Sequence, residues 1–289
     1  MDAELSRAVS SELGRSVVSA RSAAGGDINM AYEVKLEGGE RVFVKTHPTA
    51  PPTMFPTEAR GLAWLEEAGA LRIPKVLAVS PPDRDGPRFL VLEFLEPGRR
   101  AADFDEALGR GLAALHRFGA PSFGLDHDNF IGSLPQRNDR RPTWGAFYRD
   151  ARLAPLLARA VDRGLGGPLV RDFERLFERL EELVGPAEPP SRLHGDLWGG
   201  NLHADESGRP ALIDPAVYGG HREVDLAMMR LFGGFGARVF AAYDEAWPLL
   251  PGHERRVALY QLYPLLVHVN LFGGGYVSQL GRALRDALS

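Results

Sequence analysis

Leu5, Val9 and Leu13 recur at four-residue spacing, which predicts an amphipathic helix over residues 3–15, with Gly25 and Gly26 as its stop. The pattern then changes to alternation. Residues 31–36 and 41–45 each alternate around a tight turn at Gly38 and Gly39, which predicts a β-hairpin. In the second strand Arg41, Phe43 and Lys45 share one face and Val42 and Val44 the other, so the strand itself aims Lys45 at whatever covers that face. After a proline-rich loop, Thr57 is the expected N-cap of a helix that stops at Gly69. Glu58 falls in its first turn, and Ala59, Leu62, Ala63 and Leu65 give it an apolar stripe. Residues 74–79 and 88–94 read as further strands, the second apolar enough to be central. Glu96, Pro97 and Gly98 punctuate the chain there, and the expected division is into residues 1–95 and 96–289.

Beyond residue 100 the period becomes helical. Phe104, Leu108, Leu112 and Leu115 predict one helix. Leu169, Phe173, Leu176, Phe177, Leu180 and Leu183 predict another, closed by Gly185 and Pro186, and two more are expected after Arg222 and over residues 253–272. His268, Asn270 and Gly273 to Gly275 sit in a stretch too rich in glycine for a simple helix end, and read as a loop. The class is α+β, a small β-rich lobe followed by a larger, mostly helical one, and such seams commonly hold ligands.

Composition narrows the function without choosing it. Of 289 residues, 44% are hydrophobic and 25% charged, which is enough for a collapsed core. The formal charge of -4 gives the chain as a whole no electrostatic reason to seek nucleic acid or an anionic membrane. Without cysteine there is no thiolate catalysis, disulfide or cysteine-bound zinc. No signal-peptide pattern and no long apolar run is present, so the expected compartment is cytoplasmic; nothing in the sequence bears on oligomeric state. Lysine occurs only at Lys35, Lys45 and Lys75, against 34 basic residues in all, so a lysine placed on a strand stands out.

The segment from Leu193 to Asn201 carries the candidate chemistry, HGDLWGGN, with Asp214 ending a short apolar run further on. In a glycine-rich loop, Asp196 can present a carboxylate to a hydroxyl and Asn201 an amide oxygen to a cation. A strand returning beside the loop would bring Asp214 to Asn201 as a second hard oxygen ligand, suited to Mg²⁺ held between protein and nucleotide phosphates. That is the layout of phosphoryl-transfer machinery. The rival readings are an ordinary polar loop, a surface lysine, and a metal site at His194, Asp196 and His203, which has no HExxH-type partner. Trp198, beside the base, suits stacking on a sugar, with core packing as the alternative. Asn129, Trp144 and Arg152 either line the acceptor side or belong to the scaffold.

HGDLWGGN, the following IDPAVYGGHREVDLAMMRLFGGF, the late NLFGGGY and DNFIGSLPQRN together resemble the fructosamine kinase (ketosamine 3-kinase) family, over about residues 3–285. The resemblance implies a bilobal protein-kinase-like fold, shared with aminoglycoside and choline kinases. It implies ATP and Mg²⁺ as cofactors and a small-molecule or protein-linked ketosamine as substrate, phosphorylated at the C3 hydroxyl, hence deglycation. By position, Asp196 would be the base, Asn201 and Asp214 the metal ligands, and Lys45 the phosphate-holding lysine with Glu58 as partner. Gly25 and Gly26 would cover the triphosphate, Glu93, Phe94 and Leu95 would form the adenine-pairing hinge, and Asp225 would brace the catalytic loop. Two alternatives remain at this point: a phosphotransferase acting on an aminoglycoside or amino alcohol, and a nucleotide-binding pseudokinase scaffold.

Overall fold

The computed structural model describes residues 1–23, 29–83 and 85–289, which divide into two units. The first is Met1–Phe104 with Gly200–Pro215; the second is Asp105–Gly199 with Ala216–Ser289. A single boundary near residue 95 therefore misses a return of the chain. The returning segment is a hairpin of β9 (Leu202–Ala204) and β10 (Pro210–Leu212). Backbone hydrogen bonds from Gly98 to Ala204, Ala101 to Gly208 and Leu212 to Arg72 hold it in the first unit.

In the first unit, α1 (Ala3–Leu13) opens on Asp2, whose side chain accepts from the Leu5 N–H at 2.8 Å. It closes at Gly14, which adopts a left-handed φ of 63°, rather than at Gly25 and Gly26. An unexpected strand, β1 (Val17–Ser22), follows. It is an edge strand with a bulge at Val18, which is 64% exposed, so no apolar alternation announces it. With β2 (Met30–Leu36), β3 (Arg41–Thr46), β4 (Val76–Val79) and β5 (Phe89–Glu93) it forms an antiparallel sheet in the order β1-β2-β3-β5-β4. Leu5 and Val9 of α1 pack on one face against Val34, Leu36, Val42, Val44, Phe89 and Val91. Each such buried side chain contributes about 1.5–3 kcal/mol. The two-residue period sends Phe43 and Lys45 to the opposite face.

On that side, α2 (Met54–Glu66) starts three residues before the expected cap. Pro56 sits in its first turn, where the missing N–H has no helical partner to lose. Thr57 is inside the helix, its hydroxyl donating to the Met54 carbonyl at 2.9 Å. Phe55, Leu62 and Leu65 are buried, whereas Ala63, expected in the stripe, is exposed.

The second unit is mainly helical. The expected helices are present as α3 (Phe104–Phe118), α6 (Gly167–Leu183), α7 (Glu223–Phe232) and α9 (His253–Phe272). The short α4 (Trp144–Phe147), a π-helical turn over Tyr148–Leu153, α5 (Ala154–Asp162), α8 (Ala237–Ala246) and α10 (Val277–Leu288) are additional. Two small ladders complete it, β6 (Asn129–Ile131) with β7 (Leu134–Gln136), and β8 (Ser191–Leu193) with β11 (Tyr218–Gly220). His268 and Asn270 lie in α9 rather than in a loop, because Asn270 donates back to the Leu266 carbonyl at 2.9 Å and the helix runs on to Gly273. Among the described residues no helix is long and apolar enough to cross a membrane.

Candidate active site

The first unit gathers four of the expected site residues. β3 delivers Lys45, only 4% exposed, and α2 delivers Glu58 to meet it. The ammonium donates to Glu58 Oε1 at 2.6 Å and to Asp214 Oδ1 at 2.9 Å. Burial alone would push this lysine's pKa down, but the charges of Asp214 and Glu58 outweigh it and hold the pKa well above the usual lysine range. Burial also raises the Glu58 carboxyl, with Lys45 pulling the other way. The two acceptors differ in access: the Glu58 side chain is 12% exposed and that of Asp214 33%.

Asp214 lies just beyond β10 with φ at 53°, the left-handed region, and is the one non-glycine there among the described residues. Aspartate tolerates this better than most residues, at a cost of about 1 kcal/mol. The hairpin fixes its neighbour: Ile213 N–H donates to the Asn201 carbonyl at 3.1 Å, and Asn201 Nδ2 donates to the Asp214 carbonyl at 3.3 Å. A returning strand thus brings the Asn201 amide against the backbone of Asp214, 13 residues on. Their oxygens are hard donors, and Mg²⁺ is usually bound by one or two protein carboxylates with phosphate and water completing the shell. The pair fits such an ion.

At the expected hinge, Glu93 ends β5, and its carboxylate accepts from Arg72 at 3.0 Å and from the Lys75 N–H at 2.9 Å. Phe94 and Leu95 follow half-buried, outside any regular element, and the Arg41 guanidinium lies 4.6 Å over the Phe94 ring. Gly25 and Gly26 lie outside the described residues.

The second unit holds the Asp196 loop. Asp225, fully buried on α7, accepts from the His194 N–H at 2.8 Å, the Gly195 N–H at 2.9 Å and His116 Nε2 at 3.1 Å. Burial opposes its charge, but the hydrogen bonds and charge of His116 and the loop N–H groups hold its carboxyl below the usual aspartate range. Gly195, at φ 81°, cannot be another residue: a Cβ there would lie 2.0 Å from the Ala216 carbonyl oxygen. His194 Nδ1 in turn accepts from the Asp196 N–H at 3.3 Å. The result is a rigid turn that presents the half-buried Asp196 side chain. His116, which completes this brace, went unread because a histidine on an apolar helix face carries no motif.

Trp198 is 41% exposed, as a stacking platform requires. Asn129, Trp144 and Arg152 do not reach the surface with it, and the expectation that they line the acceptor side is corrected. Arg152 is wholly buried, donates to Asn138 Oδ1 at 2.7 Å and lies 3.8 Å over the Tyr218 ring. Trp144 stacks on Tyr148 with ring centroids 5.2 Å apart and donates to Tyr260, and Asn129 donates to the Val217 carbonyl at 2.9 Å. Apart from Arg152 Nε, which is buried without a hydrogen-bond partner, these polar groups bond within the scaffold.

A protein-family model described as fructosamine kinase matches residues 1–289. The chain belongs to the fructosamine kinase family. A probable ketoamine kinase of Thermus thermophilus is 44% identical, over 90% of this chain and 90% of its own. A protein-ribulosamine 3-kinase of Oryza sativa subsp. indica, described as chloroplastic, is 38% identical over 92% of this chain and 78% of its own. Among solved structures, one from Thermobifida fusca, described as a candidate fructosamine-3-kinase, superposes with a TM-score of 0.88 at 40% identity, covering 98% of both chains. A choline kinase of Streptococcus pneumoniae, 16% identical, shares the fold with a TM-score of 0.65 over 98% of this chain and 97% of its own. The fold of this fructosamine kinase family member is the α+β kinase-like one.

Proposed function

We propose that the chain is an ATP- and Mg²⁺-dependent kinase that phosphorylates the C3 hydroxyl of ketosamines of the fructosamine or ribulosamine type. The observation that carries this reading is the buried Lys45, held on its strand by Glu58 and sharing Asp214. A scaffold has no use for an ammonium so costly to bury, whereas a phosphate-binding site does. The names of the relatives, ketoamine kinase and ribulosamine 3-kinase, supply the acceptor.

In the proposed reaction the C3 oxygen forms a bond to the γ-phosphorus of ATP as the bond to the β-bridging oxygen breaks. The hydroxyl proton passes to Asp196, and ADP leaves. Asn201 and Asp214 would hold a divalent cation, which when bound would supply positive charge to the phosphate oxygens. Lys45 exchanges Asp214 for the nucleotide phosphates while Glu58 keeps its ammonium in place. Residues Glu93 to Leu95 are assigned to adenine and Trp198 to the sugar face. The 3-phosphate product is prone to eliminate and release the amine, which would make the reaction a deglycation.

The test is nucleotide consumption by the purified protein with ribulosamine, fructosamine, an aminoglycoside and choline. Turnover of a ketosamine is expected. Asp196→Asn is expected to bind ATP as before and to lose turnover by about 10²- to 10⁴-fold. ATP binding without turnover on any acceptor would overturn the proposal in favour of a scaffold.

A further inference from the structure

The buried Asp225 that holds the Asp196 loop is one end of a longer hydrogen-bond chain, all of it in the second unit. Next comes His116 on α3, whose Nε2 lies 3.1 Å from Asp225 Oδ2 and whose Nδ1 lies 2.9 Å from the Tyr243 hydroxyl on α8. The two rings meet edge to face, with centroids 5.6 Å apart. Beyond Tyr243 stands Arg222, the residue before α7. None of these four residues is more than 1% exposed.

The two ends fix the direction of every hydrogen between them. A guanidinium can only donate, and it has five N–H groups. Arg222 gives Nε and one Nη2 hydrogen to Glu188, at 2.9 and 2.6 Å. Nη1 and Nη2 give one each to the carbonyls of Trp247 and Pro248, both at 2.9 Å. One hydrogen on Nη1 remains, and the bond between the guanidinium and the Tyr243 hydroxyl accounts for it. Burial raises that hydroxyl's pKa well above the usual tyrosine range, with the charge and hydrogen bond of Arg222 pulling the other way, so the phenol keeps its proton. Having accepted from Arg222, the hydroxyl has one hydrogen to give, and His116 Nδ1 is placed to accept it. At the other end ionised Asp225 can only accept, so His116 Nε2 must donate. The ring is therefore the Nε2–H tautomer, with its lone pair on Nδ1.

That tautomer matters to the loop. A ring with a single N–H gives Asp225 one hydrogen bond and leaves the rest of the carboxylate to the N–H groups of His194 and Gly195, at 2.8 and 2.9 Å. Those two bonds set the turn that presents Asp196. Without the tyrosine hydroxyl, Nδ1 would be stranded in a buried site. The ring would relieve this by turning or by gaining a hydrogen there, and either changes the bond that Asp225 receives.

We propose that Tyr243, fixed by Arg222, is a positioning residue for the phosphoryl transfer: its hydroxyl locks His116 in the Nε2–H tautomer, and through Asp225 the lock holds the Asp196 loop in place. This rests on the ketosamine kinase reading above, but the lock itself is measurable without turnover.

The test uses the whole chain with isotope-labelled histidine. In a proton–nitrogen correlation spectrum, wild-type His116, assigned by its contacts to the Tyr243 ring, is expected to show the hydrogen on Nε2 alone. Tyr243→Phe keeps the ring and removes only the hydroxyl. It is expected to change the His116 signature and to speed amide exchange at His194 and Gly195. It should also lower kcat roughly tenfold, the loss that stranding one buried hydrogen-bond partner gives, with KM for ATP unchanged within about twofold. A thermal midpoint checks that the variant is folded in the assay, and the wild-type spectrum needs no variant at all. A wild-type ring with its hydrogen on Nδ1, or with hydrogens on both nitrogens, overturns the lock. So does Tyr243→Phe with an unchanged His116 signature or an unchanged kcat. If the wild type phosphorylates no acceptor, it is the kinase reading that fails, and the ring spectrum with the two amide exchange rates still decides the lock.

Discussion

Each unit buries a charge, and the two charges are satisfied to different degrees. In the second unit Asp225 is fully buried and receives three donors, two of them backbone N–H groups of the loop it holds. In the first, Lys45 is as deeply buried, but one of its two carboxylates, Asp214, is a third exposed and sits on left-handed backbone. A closed cluster fixes geometry. An open one can exchange a partner, and the partner that can leave is the one that water already reaches. The aspartate of the second unit is thus built to hold still, and the lysine of the first has a partner, Asp214, that it can release, as the proposed exchange for phosphate requires.

The sharpest way to break this contrast is Lys45→Met. Turnover is expected to fall by about 10²- to 10³-fold, as for loss of a positioned charge-stabilising donor. The thermal midpoint should fall much less, because the Glu58 carboxyl, already raised by burial, can take up a proton once its partner is gone. Steady-state kinetics and thermal unfolding separate the two. A collapse of stability with it would make the lysine structural.

Asp225→Ala should behave in the opposite way. It strands His116 and two loop N–H groups in a buried site, and each unsatisfied donor costs about 1–3 kcal/mol. A loss of about 3 kcal/mol or more in denaturant unfolding is expected. A variant of unchanged stability would show that the loop is held by other contacts.

The smallest effect is in pH. The Asp225 pKa is depressed in the fold, so its contribution is present above the ordinary aspartate pKa and is lost as pH falls through the folded value. His221 is 3% exposed and its pKa is lowered by burial, so below about pH 6.5 the unfolded chain binds the proton first and stability declines. Lys45 runs the other way: its raised pKa gives stability that is complete below the ordinary lysine pKa and is lost only as pH rises through the folded value. Unfolding free energy measured between about pH 5 and pH 7 should therefore decline toward acid by about 1 kcal/mol, with His221→Gln flattening the upper part of the slope.

What the sequence made legible follows the same division. The hairpin that aims Lys45, the strand β5, and the return of the chain that sets Asn201 against the backbone of Asp214 rest on local period and spacing, and the structure has them. The edge strand β1 was hidden because an exposed strand needs no apolar alternation. The start of α2 was misplaced because Pro56 reads as a loop residue although a first helical turn accepts it. The sequence left Arg152 and Trp144 open between acceptor contact and scaffold, because polar and aromatic residues near a motif look functional until their partners are known. His116 and Tyr243 join elements far apart in the chain, a relation that no periodicity encodes.

The most direct experiment is to supply ATP and a ribulosamine and locate the transferred phosphate by phosphorus–proton correlation NMR. Phosphate on the C3 oxygen, formed by the wild type and absent with Asp196→Asn, is the expected result. Phosphate on another oxygen, or transfer to choline or an aminoglycoside with no ketosamine turned over, would contradict it.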